Sequence, residues 1–293
     1  MDISNPRIGY LGIGLMGEPM TIRLLDAGYS VSVWNRTPEK LKKVIQHGAT
    51  VAATPAELAE QCDYVFMCLM DAAAIEQVVF GPQGIAQVFG PRMLVDFGTI
   101  HPDQCREFAK RLHSANAMRW IDAPITGGVP GAEAGTLAII AGGDEDDIEQ
   151  LRPVISVMSD RFSRMGEVGA GLLTKLCNQI IVGCTISVIA ESVHFAEKAG
   201  VDAAALSTVL KGGFADSLPF QMFVPRMANR EFENPMGHTN TMLKDLIAVD
   251  DIASKSGANT PMTAQALELL RKTSAQGDGD RDICTIIRHI NKD

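Results

Sequence analysis

The chain has 293 residues, 46% of them hydrophobic, and a formal net charge of −9 at pH 7. This length permits a sizeable core and favours two domains. The acidic balance, with no run of basic residues to offset it, argues against binding to the phosphate backbone of a nucleic acid.

The six cysteines show no CxxC spacing and lie mostly in apolar runs, where cysteine behaves as a small hydrophobic residue. The first six residues lack the basic segment and apolar core of a secretory signal, and the apolar run 180–190 is too short to span a bilayer. We therefore expect a reduced, cytoplasmic protein that is neither secreted nor membrane-spanning.

The first predicted elements are a buried strand over 8–13 and a helix over 18–27, separated by glycines with the spacing GxGxxG. In this context Gly12 permits a tight turn, Gly14 lets the backbone approach a pyrophosphate, and Gly17 lets helix and strand pack closely. The positive end of the helix then attracts the anion. The stretch predicts dinucleotide binding; the alternative is a turn that is merely rich in glycine.

The first half of the chain continues as alternating strands and helices. Strands are predicted at 31–34, 64–69, 93–96, 120–122, 137–141 and 161–165. Helices are predicted at 38–47, after a capping box that starts at Thr54, at 72–79, at 102–114 and from about 144. This repetition of βαβ units predicts an α/β fold with a doubly wound Rossmann sheet.

The second half changes character after about residue 171, where strand signals nearly vanish. A long apolar helix is predicted over 172–198, followed by helices near 202–210, 219–229, 241–256, 260–274 and 281–290. We predict a dinucleotide-binding domain over 1–166. An all-α domain for substrate binding and oligomerisation would cover 167–293 and begin with the long interdomain helix.

The end of the second strand indicates which dinucleotide is bound. NAD-preferring folds place an acidic residue about twenty positions after the glycines, to hold the ribose 2′-hydroxyl. This chain has Asn35-Arg36-Thr37 there, and a guanidinium suits a 2′-phosphate. NADP(H) is therefore preferred and NAD(H) stays possible; the alternative is that Arg36 is a solvated residue at a helix start.

Four motifs together resemble the β-hydroxyacid dehydrogenase family, which includes 3-hydroxyisobutyrate dehydrogenase, tartronate semialdehyde reductase and the glyoxylate/succinic semialdehyde reductases. They are Gly12-Ile-Gly-Leu-Met-Gly17, Asp122-Ala-Pro-Ile-Thr-Gly-Gly128, Gly169-Ala-Gly-Leu-Leu-Thr-Lys175-Leu-Cys-Asn178-Gln179 and Lys244-Asp245. The resemblance runs from residue 8 to about 290. It implies hydride transfer between NADP(H) and a small β-hydroxyacid or semialdehyde carboxylate.

The resemblance also implies the catalytic residues. Lys175 would be the general acid and base, since the alkoxide left by hydride transfer needs a proton. Asn178 and Gln179 follow at three and four residues and share its helical face; many relatives carry asparagine at the fourth position, so which of the two amides acts is open.

The same resemblance assigns the ligand contacts. Thr126, Gly127 and Gly128 would bind the substrate carboxylate, with threonine where the family usually has serine, because glycine N–H groups beside a hydroxyl form an anion site. The predicted cofactor contacts are Gly12, Ile13, Gly14, Leu15, Met16, Gly17, Asn35, Arg36, Thr37, Leu69, Met70, Thr99 and Lys244.

No metal site is expected. The acidic residues 144–147 fit a first helical turn, residues 278–282 lack the glycine of a calcium loop, and the histidines show no ligand spacing. Family members are generally dimers or tetramers, and we expect a homodimer or homotetramer with no nucleic-acid or membrane partner.

Two other functions stay open. One is a catalytically silent nucleotide-binding scaffold of the same fold. The other is an imine reductase, although those relatives usually carry aspartate or tyrosine in place of Lys175. Glyoxylate, succinic semialdehyde, methylmalonate semialdehyde and tartronate semialdehyde all stay possible as substrates.

Overall fold

The structure is a computed structural model that describes residues 6–89 and 92–290. The chain divides into two compact units, residues 1–175 and residues 176–293. The first contains an α/β sheet and the second is helical, which confirms the predicted fold class. The division falls inside the long helix, whereas the sequence-based boundary at 166/167 lies just before that helix.

One nine-stranded sheet forms the centre of the first unit. Its strands are β1 (Ile8–Leu11), β2 (Val31–Trp34), β3 (Thr50–Val51), β4 (Tyr64–Met67), β5 (Met93–Asp96), β6 (Arg119–Asp122), β7 (Ile125–Thr126), β8 (Leu137–Gly142) and β9 (Ser159–Gly166). Their order is β3-β2-β1-β4-β5-β6-β8-β7, and β9 pairs with β8. The strands from β3 to β6 in this order are parallel, whereas β8 runs antiparallel to β6 and β7.

Helices cover the sheet of the first unit. They are α1 (Gly17–Asp26), α2 (Lys42–Gln46), α3 (Pro55–Gln61), α4 (Ala72–Ile75), α5 (Pro102–Asn116), α6 (Gly128–Ala134) and α7 (Glu145–Ile155), and α8 (Ala170–Lys198) begins here. The predicted capping box is present: Glu57 N donates to Thr54 Oγ1 at 3.0 Å, and Ala53 N donates to Glu57 Oε2 at 2.7 Å. The helix predicted at 38–47 begins instead as a 3₁₀ turn, Pro38–Leu41.

Three aromatic rings fix the strands that lead to the predicted site. The ring centroid of Tyr10 lies 6.3 Å from that of Phe66 and 6.3 Å from that of Phe97. Phe66 packs edge-on against Phe97, with their centroids 5.4 Å apart. All three side chains are buried. Close packing of this kind resists displacement, so it holds the ends of β1, β4 and β5 in fixed relative positions.

The second unit is built from the remainder of α8 and the helices that follow it. These are α9 (Leu206–Val209), α10 (Leu218–Asn229), α11 (Thr239–Ser256) and α12 (Pro261–Thr273). The segment predicted as a helix at 281–290 is a 3₁₀ helix, Ile283–His289, which Asp282 caps by accepting from Cys284 N at 2.8 Å. In the core of the second unit, Ala190 and Val193 of α8 pack with Val224 and Leu246.

By length and composition alone, α8 is long and apolar enough to cross a membrane, the one such helix in the described part of the chain. Central helices of water-soluble domains have the same length and composition. Ile186, Ala190 and Val193 are buried in the core of the second unit. The expectation that no segment spans a membrane stays a prediction.

Candidate active site

The predicted ligand-binding segments of the first unit follow strands that end together. Leu11 of β1 pairs in register with Met67 of β4, Met67 with Asp96 of β5, and Asp96 with Asp122 of β6. The glycine turn, the Leu69-Met70 segment, Thr99 and the Thr126 loop come directly after these ends. Parallel α/β sheets bind ligands at this edge.

The glycine turn after β1 has the geometry that a dinucleotide needs. Gly12 has φ +90°, and a Cβ there would lie 2.3 Å from the Cys68 carbonyl oxygen. A Cβ on Gly17 would lie 2.1 Å from the Gly12 carbonyl oxygen. A Cβ on Gly14 would meet nothing within 4 Å, so the space that a side chain would occupy there is open to a ligand. The residues present therefore fit a bound pyrophosphate at the start of α1.

The end of β2 is tied to this turn by Asn35. Its Oδ1 accepts from Ile13 N at 3.0 Å, and its Nδ2 donates to the Thr37 carbonyl oxygen at 2.8 Å. Arg36 is exposed, and no carboxylate pairs with it in the part of the chain that the structure describes. Its guanidinium therefore has no ion pair among the described residues that would compete with a bound anion.

A cavity of about 580 Å³ lies beside the same turn, lined by Gly14 and Leu15 and by Lys40 and Lys43 of the segment after Arg36. Lys43 pairs with Glu18 at 2.8 Å. The sequence analysis did not single out Lys40. No spacing in the sequence could have found it, because Arg36 lies before the 3₁₀ turn Pro38–Leu41 that carries Lys40 and the two residues share no helical face.

The Thr126 loop is more structured than a plain turn. Ile125 and Thr126 form β7, Gly127 follows with φ +127°, and Gly128 with φ +63° begins α6. Sequence reasoning missed both elements, because β7 has only two residues and α6 contains two glycines and a proline, which are poor helix formers. The first N–H groups of a helix have no intrahelical partner, so this loop presents N–H donors beside the Thr126 hydroxyl.

Lys175 lies near the start of α8 and beside that loop. Its Nζ donates a hydrogen bond of 3.1 Å to the Ile125 carbonyl oxygen, and Ile125 directly precedes Thr126. The side chain is half-buried. The structure therefore brings together the predicted proton donor and the predicted carboxylate-binding loop within the first unit.

Asn178 and Gln179 begin a chain of hydrogen bonds in the second unit. Asn178 Nδ2 donates to Gln179 Oε1 at 2.9 Å, and Gln179 Nε2 donates to Asp245 Oδ2 at 2.7 Å. Gln179 and Asp245 are buried, with 7% and 3% of their surfaces exposed. Lys244 Nζ lies 3.7 Å from Asp245 Oδ1. Gln179 thus connects α8 to α11, and Lys244 belongs to the second unit.

Two acidic segments that resemble metal sites bind protein groups. Asp144 caps α7 by accepting from the backbone N–H groups of Asp146 and Asp147 at 3.0 and 3.4 Å, and the acidic first turn that the sequence predicted is formed by the three residues that follow Asp144. Asp282 accepts from Met236 N at 2.7 Å and pairs with Arg226 at 3.0 Å. The expectation that no metal is bound stays a prediction.

Comparison with known proteins identifies the family. Residues 7–169 match the profile described as the NAD binding domain of 6-phosphogluconate dehydrogenase. Residues 169–290 match the profile described as NAD-binding of NADP-dependent 3-hydroxyisobutyrate dehydrogenase.

Individual relatives agree with these profiles over nearly the whole chain. A probable 3-hydroxyisobutyrate dehydrogenase-like protein of Arabidopsis thaliana is 36% identical over 280 residues, covering 94% of this chain and 83% of the relative. The 2-hydroxy-3-oxopropionate reductase of Escherichia coli is 32% identical, covering 97% of both chains. The Mycobacterium tuberculosis 3-hydroxyisobutyrate dehydrogenase, solved with L-serine, superposes with a TM-score of 0.87 at 29% identity, covering 98% of this chain and 100% of that one. This chain therefore belongs to the 3-hydroxyisobutyrate dehydrogenase, or β-hydroxyacid dehydrogenase, family of NAD(P)-dependent oxidoreductases.

Proposed function

We propose that this oxidoreductase reduces a small aldehyde that carries a carboxylate, that NADPH is its preferred cofactor, and that Lys175 is the general acid and base. The observation that carries the proposal is the 3.1 Å hydrogen bond from Lys175 Nζ to the Ile125 carbonyl oxygen. It holds the ammonium next to the loop whose N–H groups and hydroxyl suit a carboxylate. A substrate anchored there presents its carbonyl near a proton donor.

The chemistry divides between the cofactor and the side chains. When bound, the reduced nicotinamide supplies a hydride to the carbonyl carbon. Lys175 donates a proton to the carbonyl oxygen as that oxygen gains charge, and in the oxidative direction it accepts the proton from the hydroxyl. Thr126, Gly127 and Gly128 hold the carboxylate and so fix the distance between the carbonyl and Lys175.

Cofactor preference is inferred from charge at the end of β2. Arg36 is exposed without an acidic partner among the described residues, and Lys40 lines the cavity next to the glycine turn. The Arg36 guanidinium suits the doubly charged 2′-phosphate of NADP better than the 2′-hydroxyl of NAD. The profile matched by residues 169–290 is also described as NADP-dependent. NAD(H) would bind at the same glycine turn, but with lower affinity than NADP(H).

Two exposed apolar side chains lie at the same edge of the sheet. Leu15 in the glycine turn and Met70 after β4 are each 75% exposed. Apolar side chains of this size lose contact with water when a ligand covers them. Their exposure supports the inclusion of Leu15 and Met70 in the proposed cofactor-binding set, to which Leu69 and Thr99 also belong by their positions after β4 and β5.

A homodimer or homotetramer is part of the proposal. Ile181, Val188 and Phe195 lie seven residues apart along α8 and are 67%, 54% and 74% exposed. Apolar residues at a spacing of seven form a stripe along one helix face, which packs well against a second helix. We infer that a second copy of the chain covers this stripe.

We also infer that the protein works in a reducing compartment, in keeping with the cytoplasm. All six cysteines are free. Oxidising compartments would favour disulfides in such a chain.

The test is the initial rate of NADPH and NADH oxidation with glyoxylate, succinic semialdehyde, methylmalonate semialdehyde and tartronate semialdehyde. We expect one aldehyde to be reduced well with NADPH and poorly with NADH, and Lys175→Met to lower kcat by about 10²–10⁴-fold while NADPH still binds. Tight NADPH binding without turnover of any of the four would instead favour the scaffold or the imine reductase. Wild-type kcat in Lys175→Met would remove Lys175 from the mechanism.

A further inference from the structure

The end of β6 carries a buried carboxylate that the proposed mechanism does not use. Asp122, the last residue of β6, is 1% exposed. Its Oδ1 accepts from Gly169 N at 2.7 Å, and its Oδ2 accepts from Leu172 N at 2.8 Å. A residue at the end of a strand therefore satisfies two backbone donors at the start of α8.

The backbone packs closely around this carboxylate. A Cβ on Gly142 would lie 2.5 Å from Asp122 Oδ1, and a Cβ on Gly171 would lie 2.4 Å from the Ile140 carbonyl oxygen and 2.9 Å from Asp122 Oδ2. Glycine at both positions lets β8 and the first turn of α8 close around the carboxylate. The contact thus depends on close packing of three segments of the chain, namely β6, β8 and the start of α8.

The two ends of this contact lead directly to the proposed site. Lys175 lies three residues after Leu172, less than one turn along α8. Ile125, which accepts the hydrogen bond from Lys175, lies three residues after Asp122. We propose that Asp122 is a positioning residue, whose carboxylate fixes the start of α8 and thereby holds Lys175 against the Thr126 loop. This inference rests on the proposed role of Lys175.

The groups that face Asp122 determine how it responds to pH. Burial raises the pKa of Asp122 to about 6, and the N–H donors of Gly169 and Leu172 oppose that rise. The Arg106 guanidinium of α5 also lowers it, and the neighbouring thiol of Cys105 stays protonated because burial raises its own pKa. Protonation turns one carboxylate oxygen into a donor that faces an N–H donor, so one of the two contacts is lost.

The first measurement is amide hydrogen exchange of the segment 167–176 in the wild type, in Asp122→Asn and in Asp147→Asn. Asp147 of α7 is the matched control, because it is also 1% exposed and its carboxylate pairs with Arg119, at the opposite end of β6 from Asp122. We expect exchange of the Gly169 and Leu172 amides to accelerate at least about tenfold in Asp122→Asn only, in line with one lost hydrogen bond. Unchanged exchange in Asp122→Asn would overturn the inference, whatever Lys175 does.

The second measurement is the pH dependence of kcat in the same three proteins. We expect the wild type and Asp147→Asn to lose activity as the pH falls through about 6. In Asp122→Asn, kcat should be about 10²-fold lower and flat through that region, with little change in the KM for NADPH, because a small misplacement of a reacting group costs about this much. Faster exchange with an unchanged pH profile would show that Asp122 only stabilises the helix start.

The two proposals fail separately. If Lys175→Met keeps wild-type activity, the assignment of Lys175 fails, but the exchange experiment still reports whether Asp122 holds α8. If Lys175→Met is inactive and Asp122→Asn behaves like the wild type in both measurements, only the positioning role is wrong.

Discussion

The side-chain amide of Gln179 donates a 2.7 Å hydrogen bond to the buried carboxylate of Asp245. Its carbonyl oxygen accepts from Asn178 at 2.9 Å, so both ends of the Gln179 amide are engaged within the second unit. Within the described part of the chain, the side chain of Asn178 makes its hydrogen bond through the NH₂ group, and its carbonyl oxygen is left for a ligand. The sequence leaves both amides open as candidates, and this arrangement suggests different tasks for them.

Variants at the two amides should therefore differ in stability. In Gln179→Met, Asp245 loses a donor at a buried position, and we expect the free energy of unfolding to fall by about 1–3 kcal/mol together with kcat. In Asn178→Ala, we expect kcat to fall while stability stays within about 0.5 kcal/mol, because the bond from Gln179 to Asp245 is kept. Urea denaturation and steady-state kinetics measure both. Equal losses of stability, or wild-type kcat in Asn178→Ala, would contradict this division.

Two glycines of the same turn should respond differently to alanine. In Gly14→Ala the new methyl group enters open space, so we expect unchanged stability and a dissociation constant for NADPH raised at least about tenfold. In Gly17→Ala the methyl group meets the Gly12 carbonyl oxygen, and we expect the apo protein to lose about 1–3 kcal/mol of stability. Calorimetry of the apo protein and a binding titration test the pair. Tight NADPH binding by Gly14→Ala would place the pyrophosphate elsewhere.

Arg36 should determine the preference for NADPH without affecting the fold. We expect Arg36→Ala to lower kcat/KM for NADPH by about 10–100-fold, the worth of a charge-assisted pair, and to leave kcat/KM for NADH nearly unchanged. Arg36→Lys, the matched control, keeps the charge but loses the bidentate geometry, so its kcat/KM for NADPH should lie between those of the wild type and Arg36→Ala. Steady-state kinetics with each cofactor are sufficient. An equal loss with both cofactors would show that Arg36 does not read the 2′-phosphate.

The elements that the sequence predicts best are specified by neighbouring residues. The strand, glycine turn and helix at the N-terminus, and the caps at Thr54 and Asp144, depend on contacts within a few residues. The strands β3 and β7 are harder to predict, because two residues are too few for a periodic pattern, and α6 is harder because two of its seven residues are glycine and one is proline. The antiparallel β8 depends on how the chain returns to β6, which is a property of the whole sheet.

The candidate site likewise combines residues that a local motif reveals with contacts that only the folded chain shows. The residues of the motifs can be read from the sequence, but the partners of Lys175 and Gln179 lie 50 and 66 positions away. The role of Asp122 is also invisible in its motif, because its donors come from residues about 50 positions later. Contacts of this range depend on tertiary packing, which no local pattern encodes.

The carboxyl group of Asp122 should also make stability depend on pH. Because its pKa is raised from 3.8 to about 6, the folded protein binds this proton more tightly than the unfolded chain does. Its contribution to stability is full below pH 3.8 and is lost as the pH rises through 6. We expect the wild type to lose roughly 2–3 kcal/mol relative to Asp122→Asn between pH 4 and 7. Denaturation curves at several pH values measure this difference, and parallel curves for the two proteins would show that the carboxyl is not perturbed.

The exposed stripe on α8 gives a test of the proposed assembly. A charge in a buried apolar interface costs several kcal/mol, so we expect Val188→Glu to dissociate the oligomer at micromolar concentration. Met262→Glu is the matched control, because Met262 is 65% exposed on α12, outside the stripe, and its variant should keep the wild-type sedimentation coefficient. Sedimentation velocity measures both proteins, with circular dichroism as a check of folding. A monomeric wild type, or an intact oligomer in Val188→Glu, would show that a second copy does not cover the Ile181, Val188 and Phe195 stripe.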